Sequence, residues 1–289
     1  MGRVTEARRI TTVRIREGLL YAGRKGDHVV VEEPLDIRLD GAPLSMTMRT
    51  PGHDVELVHG FLHAEGYIAS REDLEQARYC DGAVVEDESG LPRNTYNVMD
   101  ATTRVAPRRP ITIKNVVTSS ACGVCGTASI DEVRTAGRYA LAAEWTVAPE
   151  LLLDVQRRFD AEQGVFARTG GSHGAALVRH DGEILVQRED VGRHNAVDKV
   201  IGWALLEDRL PLSDCFLLVS SRASFEIAQK AYAAGIPMLV CVSAASSLAI
   251  GTAESVGMTL VGFLRGREGG DGRMNVYTHP ERLDLSGAA

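Results

Sequence analysis

An α/β fold in two parts is what this sequence predicts, and three patterns predict it. Residues 149–289 alternate apolar runs of strand length with amphipathic helical stretches. Residues 1–117 show short strands around one helix, and a small, polar, cysteine-bearing segment separates the two regions. The expected organisation is a small α+β domain at 1–117, a cysteine loop and connector at 118–148, and a larger α/β domain at 149–289.

In the first part, His28 to Glu33, Leu35 to Leu39 and Ser45 to Thr50 have the apolar, β-branched composition of strands. Val55 to Ala64 predicts a helix with Val55, Val58, Phe61 and Leu62 on one face. Asn94 to Met99 and Thr112 to Val117 are expected as further strands. The run TSSACGVCGT, Thr118 to Thr127, has the composition of a mobile surface loop.

In the second part, Pro149 to Gln163 predicts a helix with proline in its first turn. Ala175 to Arg179 and Glu183 to Glu189 predict a hairpin, with Asp181-Gly182 as the turn signal. Arg193 to Leu206, Ser224 to Ala234 and Ser246 to Val256 are expected helices. Cys215 to Val219, Met238 to Val242, Thr259 to Leu264 and Met274 to Thr278 are expected strands. Near-continuous apolar strands joined by helices imply a largely parallel sheet covered on both faces.

The bulk numbers narrow the functional classes. An apolar share of 44% and a charged share of 25% are those of a folded globular chain. Apolar runs such as Cys215 to Val219 fall far short of the roughly 20 residues of a spanning helix. No apolar stretch follows the first arginines, so a secretory signal is not expected, and cytoplasm is the default location. A net charge of −7 disfavours a sequence-independent nucleic-acid binder. Five cysteines without a signal peptide read as reduced thiols. Cys215 and Cys241 sit in apolar runs as inert core thiols, Cys80 stands alone, and Cys122 with Cys125 forms the one motif. Of 32 basic residues only Lys25, Lys114, Lys199 and Lys230 are lysines, which draws attention to their compact ammonium groups.

Ligands in open α/β sheets bind beyond the carboxyl ends of the strands, where helix N-termini point. The segments in that position are Asp190-Val191-Gly192-Arg193-His194-Asn195, Ser220-Ser221-Arg222-Ala223-Ser224, Ser243-Ala244-Ala245-Ser246-Ser247 and Arg265-Gly266-Arg267. Any one of them reads first as a helix cap. Four together, with hydroxyls and guanidinium groups, suit an anion or nucleotide. The run Thr169 to Gly174 reads as a turn, and His173 and His194 suit either a ligand or a structural role.

A C-x-x-C pair serves dithiol redox chemistry, half of a zinc site, or sulfur-carrying catalysis. Redox of the thioredoxin type expects the pair at a helix start directly after a strand, whereas four small or polar residues intervene here. Structural zinc expects a second close pair of ligands, which Cys80 and the histidines do not provide. A deaminase zinc site expects H-x-E and P-C-x-x-C. His63-Ala64-Glu65 and Cys122-Gly123-Val124-Cys125 match in part, but Ala121 replaces the proline. A thiol in an accessible glycine-rich loop suits the reading that a sulfur is accepted and passed on.

Five segments together resemble the FdhD family of formate dehydrogenase accessory sulfurtransferases. They are SSACGVCG (Ser119 to Gly126), TGGSHGAAL (Thr169 to Leu177), EDVGRHNAVDK (Glu189 to Lys199), SSRASFEIAQK (Ser220 to Lys230) and SAASSLAI (Ser243 to Ile250). Ser221 departs from the glycine many relatives carry in SGR-x-S. The resemblance implies a cytidine-deaminase-like three-layer C-terminal domain, a smaller N-terminal α+β domain and a mobile Cys-x-x-Cys loop between them. It implies a homodimer with its cofactor site near the subunit interface. It implies that a cysteine desulfurase loads sulfur onto Cys122, with Cys125 as helper. The sulfur would pass to molybdenum bis(molybdopterin guanine dinucleotide) before that cofactor enters formate dehydrogenase. The family's cofactor-binding stretch matches Phe263, Leu264, Arg265, Gly266, Arg267 and Glu268. Arg193, His194, Ser221, Arg222, Ser224 and Ser246 at the strand ends are the further cofactor contacts expected. Neither a metal ligand set nor a nucleic-acid or membrane partner is expected. A cofactor chaperone without sulfur transfer and a zinc-dependent hydrolase are the alternatives.

Overall fold

The computed structural model describes residues 3–80, 84–86, 92–94, 97–110, 117–118, 139–141, 144–266 and 271–287. Two strands, β1 (Thr5–Arg16) and β2 (Leu19–Val30), form a separate ribbon that the sequence reading did not anticipate. Glu17 and Gly18 both take positive φ, the geometry of a two-residue type I′ turn. The expected strand His28 to Glu33 is instead the end of β2 and the start of β3 (Glu33–Leu39).

Asp40 and Gly41 repeat the type I′ turn and lead into β4 (Ala42–Arg49). Helix α1 (Asp54–Ala64) follows, then β5 (Leu74–Tyr79), a small pair β6 (Val84–Glu86) and β7 (Pro92–Asn94), β8 (Val98–Thr103) and β9 (Val117–Thr118). The main sheet of this half has the order β5-β8-β3-β4-β9. Strand β8 lies later than the expected Asn94 to Met99. Its register against β3 sets Val98 beside Asp36, and Asp40 accepts from the Thr103 amide and hydroxyl. Of the expected strand Thr112 to Val117, all but Val117 lies outside the described residues.

Leu57, Val58 and Leu62 of α1 pack on Leu35, Ile37, Leu39 and Met99. Val55, expected on the buried face, is 37% exposed. The difference arises because α1 is covered on two sides, by its own sheet and by the helix α4 described next.

The second half contains α2 (Pro149–Glu162), α3 (Gly164–Thr169), β10 (His173–Arg179), β11 (Ile184–Asp190), α4 (Arg193–Leu206), β12 (Cys215–Val219), α5 (Phe225–Ala233), β13 (Met238–Cys241), α6 (Ser247–Val256), β14 (Thr259–Gly266) and β15 (Gly272–Thr278). The sheet order is β11-β10-β12-β13-β14-β15. Only β12, β13 and β14 run parallel, so the expected largely parallel sheet is a mixed one. Hairpin β10–β11 and the short β14–β15 connection force antiparallel pairing, because a parallel return needs a long crossover.

Alternate residues enter two cores. Ala175, Leu177, Leu217 and Leu239 face α4, α5 and α6, while Ala176, Val178, Leu218 and Val240 face α2. No helix among the described residues is long and apolar enough to cross a membrane.

Helices α1 and α4 join the two halves by glycine contacts. A Cβ on Gly60 would lie 2.7 Å from the Asp198 carbonyl carbon, and one on Gly202 would lie 2.6 Å from that of Glu56. Both backbones approach too closely for any side chain. A buried polar network adds to this joint. Lys199 Nζ lies 2.7 Å from Asp190 Oδ2 and donates to the Thr50 carbonyl, and the Thr50 amide donates to Asp190. Asn195 donates to the Met48 carbonyl and to Asp190. Three residues of the EDVGRHNAVDK run therefore tie α4 to the end of β4 rather than face solvent.

Candidate functional site

The C-terminal ends of β11, β12, β13 and β14 lie along one edge of the second sheet, and β10 begins there. Backbone bonds stitch the loops at this edge. Ser220 N donates to the Gly174 carbonyl, Ala223 N to Ala244, Ser246 N to Ala223, and Phe263 N to Ser243. Glu189 accepts from the amides of Val165 and Phe166 and from the Ser172 hydroxyl, which holds the start of α3 and the TGGSHG turn against β11.

Three helices aim their N-termini at this edge, α4 after Gly192, α5 after Ser224 and α6 after Ser246. His194 Nε2 stands 2.6 Å from Glu226 Oε2 and 3.3 Å from Ser224 Oγ, linking the starts of α4 and α5. His173 has a pKa below the ordinary histidine value. Burial is the largest cause, the positive charges of Arg193, His194 and Arg222 add to it, and Asp190 opposes them. Those four basic side chains thus share one neighbourhood. Arg222 is exposed, and the Arg193 Nε is buried without a hydrogen-bond partner among the described residues. Uncompensated donors beside two helix N-termini suit an anion that supplies the missing acceptor.

The other expected contacts divide. Ser221 is buried, and its hydroxyl donates to the Arg222 carbonyl at 3.1 Å. Ser246 is an exposed cap that accepts from Ala249 N at 3.2 Å, the structural role weighed for it from sequence. Beyond Val261 the chain leaves the parallel pairing with β13. Phe263 takes a left-handed φ of 54°, and Leu264 is fully buried in the core against α2. Gly266 N donates to Gln156 of α2, and Arg265 with Gly266 lines a 410 Å³ cavity with Asp271, Gly272 and Arg273. Arg193, His194, Arg222 and Ser224 are therefore brought together, whereas Arg265 and Gly266 lie on the α2 side of the sheet. Cys122, Cys125, Arg267 and Glu268 lie outside the described residues.

Sequence reasoning did not nominate Glu226, the partner of His194, although it stands in the quoted run SSRASFEIAQK. In the sequence, Lys199 and Lys230 stand out only as two of the few lysines. Each is paired with a buried aspartate, Asp190 and Asp198. Burial raises the Asp198 pKa, and Lys230 at 2.7 Å opposes that rise. His63, of the H-x-E pattern, is buried on α1. Burial pushes the Cys241 thiol up to about 11 and raises Cys215 further, so neither is a ready nucleophile.

Comparison with known proteins gives one consistent result. The model of the FdhD/NarQ family matches residues 30–284. A Streptomyces coelicolor protein named sulfur carrier protein FdhD is 53% identical over 292 residues, covering 100% of this chain and 99% of the relative. A Nocardia farcinica protein of the same name is 51% identical, covering 98% and 96%. A crystal structure from Desulfotalea psychrophila, described as a formate dehydrogenase accessory protein, superposes with a TM-score of 0.71 at 24% identity. That match covers 96% of this chain and 99% of the other, and it supports the fold alone.

Proposed function

The chain belongs to the FdhD/NarQ family, and on that premise we propose that it is a cytoplasmic, homodimeric sulfur carrier serving formate dehydrogenase. Relatives that share half of its residues over the full length bear the name of sulfur carrier. The sulfur rides on Cys122 as a persulfide, with Cys125 assisting. In loading, the Cys122 thiolate attacks the outer sulfur of a cysteine desulfurase persulfide. A new S–S bond forms at Cys122 as the S–S bond at the desulfurase breaks, and the desulfurase cysteine leaves as its thiolate and takes up the proton that Cys122 gave up on ionising. The burial of Cys215 and Cys241 supports keeping this chemistry away from them.

The cargo is molybdenum bis(molybdopterin guanine dinucleotide), which carries diphosphate groups. The observation that carries this part is the convergence of His173, Arg193, His194 and Arg222 on the starts of α4 and α5. Helix amides and arginine forks complement phosphate oxygens there, and the unpartnered Arg193 Nε fits an incoming acceptor. Arg265 and the following residues would contact the cargo from the α2 side.

One experiment separates carrier from chaperone. Guanosine diphosphate binding and formate dehydrogenase activity are measured for the wild type, Cys122→Ala and Arg222→Ala. Cys122→Ala should bind the nucleotide normally and support no activity. Arg222→Ala should bind about tenfold more weakly or worse, the loss of a charge-assisted hydrogen bond. Full activity with Cys122→Ala would leave the chaperone reading standing.

A further inference from the structure

A cavity of 750 Å³ lies where α1, the start of β5 and the last turn of α4 meet. The anion-binding edge uses the first turn of α4, whereas Leu206, the last residue of that helix, lines this cavity. Fourteen helical residues place the two about 21 Å apart, so they are separate places on the molecule.

His59 lines the cavity although only 5% of it is exposed. Its Nδ1 lies 2.8 Å from the Val55 carbonyl oxygen, which can only accept, so Nδ1 carries the ring proton. Nε2 is then a bare acceptor, and it has no partner among the described residues. Burial holds the ring below the ordinary histidine pKa, with the Val55 carbonyl opposing, which keeps it neutral. A buried acceptor left unpaired calls for a donor from outside the chain.

The charges around it define that donor. Arg71 is already spent on the Leu206 carbonyl and on Asp208, and Asp73 on the amides of Ala69 and Ser70 and on Arg108. Glu72 and Glu75 are exposed and have no partner among the described residues, and only Arg104 stands unpaired against them. The end of α4 adds the partial negative charge of a helix C-terminus. Among the described residues no three metal-ligating side chains converge, so the occupant brings its own atoms rather than being an ion caged by the chain. A cation that donates N–H bonds satisfies the imidazole and the carboxylates at once, and the volume admits the alkyl chain that carries it.

We propose that this cavity is a binding site for an alkylammonium group, with His59 Nε2 accepting one N–H and Glu72 and Glu75 balancing the charge. A free polyamine and a lysine side chain of a partner protein present the same group, and sulfur transfer does not enter the test.

Isothermal titration of the full chain with spermidine and with trilysine is compared for the wild type, His59→Leu, Glu75→Gln and Arg104→Gln. At least one probe should bind the wild type saturably, spermidine alone assigning the site to a free amine and trilysine alone to a partner's side chain. His59→Leu, which changes no charge, should bind about tenfold more weakly or worse. Glu75→Gln should bind about threefold more weakly and Arg104→Gln somewhat more tightly. Nitrogen NMR of the wild type gives a reading independent of any variant's fold, because the His59 Nε2 signal should move from a bare to a hydrogen-bonded position as the probe is added. Binding of neither probe, equal binding by His59→Leu, or an unmoved Nε2 signal would overturn the site. Weaker binding by Arg104→Gln would show that an anionic group is held there, and would overturn the cation.

Discussion

Lys199→Met is expected to cost about 3–5 kcal/mol of folding stability, because it strands the fully buried Asp190 carboxylate without its cation. The ammonium also donates to the Thr50 carbonyl, so the joint between β4 and α4 loses a hydrogen bond along with the ion pair. Asn195 and the Thr50 amide stay in place and still aim donors at Asp190, which is why the loss should fall short of complete unfolding. Urea unfolding of the variant beside the wild type measures this. A loss under 1 kcal/mol would show that the pair is not holding the halves together.

The second large effect is steric. Gly60→Ala and Gly202→Ala each place a methyl inside the backbone of the facing helix, against Asp198 and Glu56 respectively. Overpacking of this kind costs about 1–3 kcal/mol, and these contacts fall at the upper end because backbone, not a flexible side chain, blocks the way. Part of that loss is offset by the roughly 1 kcal/mol by which alanine favours a helix interior over glycine. The double variant should lose less than the two single losses together, since moving α1 away from α4 once relieves both clashes. Thermal unfolding of the three variants checks the sign and the non-additivity.

The second half of the fold was legible because its strands are short apolar runs and its helices amphipathic. Arg193–Leu206 and Cys215–Val219 appear with the expected bounds. The direction of pairing was not legible, since an apolar strand buried on both faces looks the same in a parallel or an antiparallel neighbourhood. The ribbon was hidden for a different reason. Val13, Ile15, Leu20 and Tyr21 stand among arginines and bury no face within the chain, so the alternation that marks a half-buried strand has nothing to act on. The residue types at the sheet edge were evident from the sequence. Their division was not. That Ser246 caps α6 while Ser224 meets His194 depends on which helix start lies beside which, and the burial of Lys199 depends on a β4 that is distant in the chain.

The proposed sulfur relay runs through one thiol, Cys122. Its most direct measurement is the intact mass of the protein after incubation with a cysteine desulfurase and free cysteine, then after reduction. The wild type should gain the mass of one sulfur atom that reduction removes, and Cys122→Ala should gain none. A Cys122→Ala protein that takes up the same sulfur would contradict it.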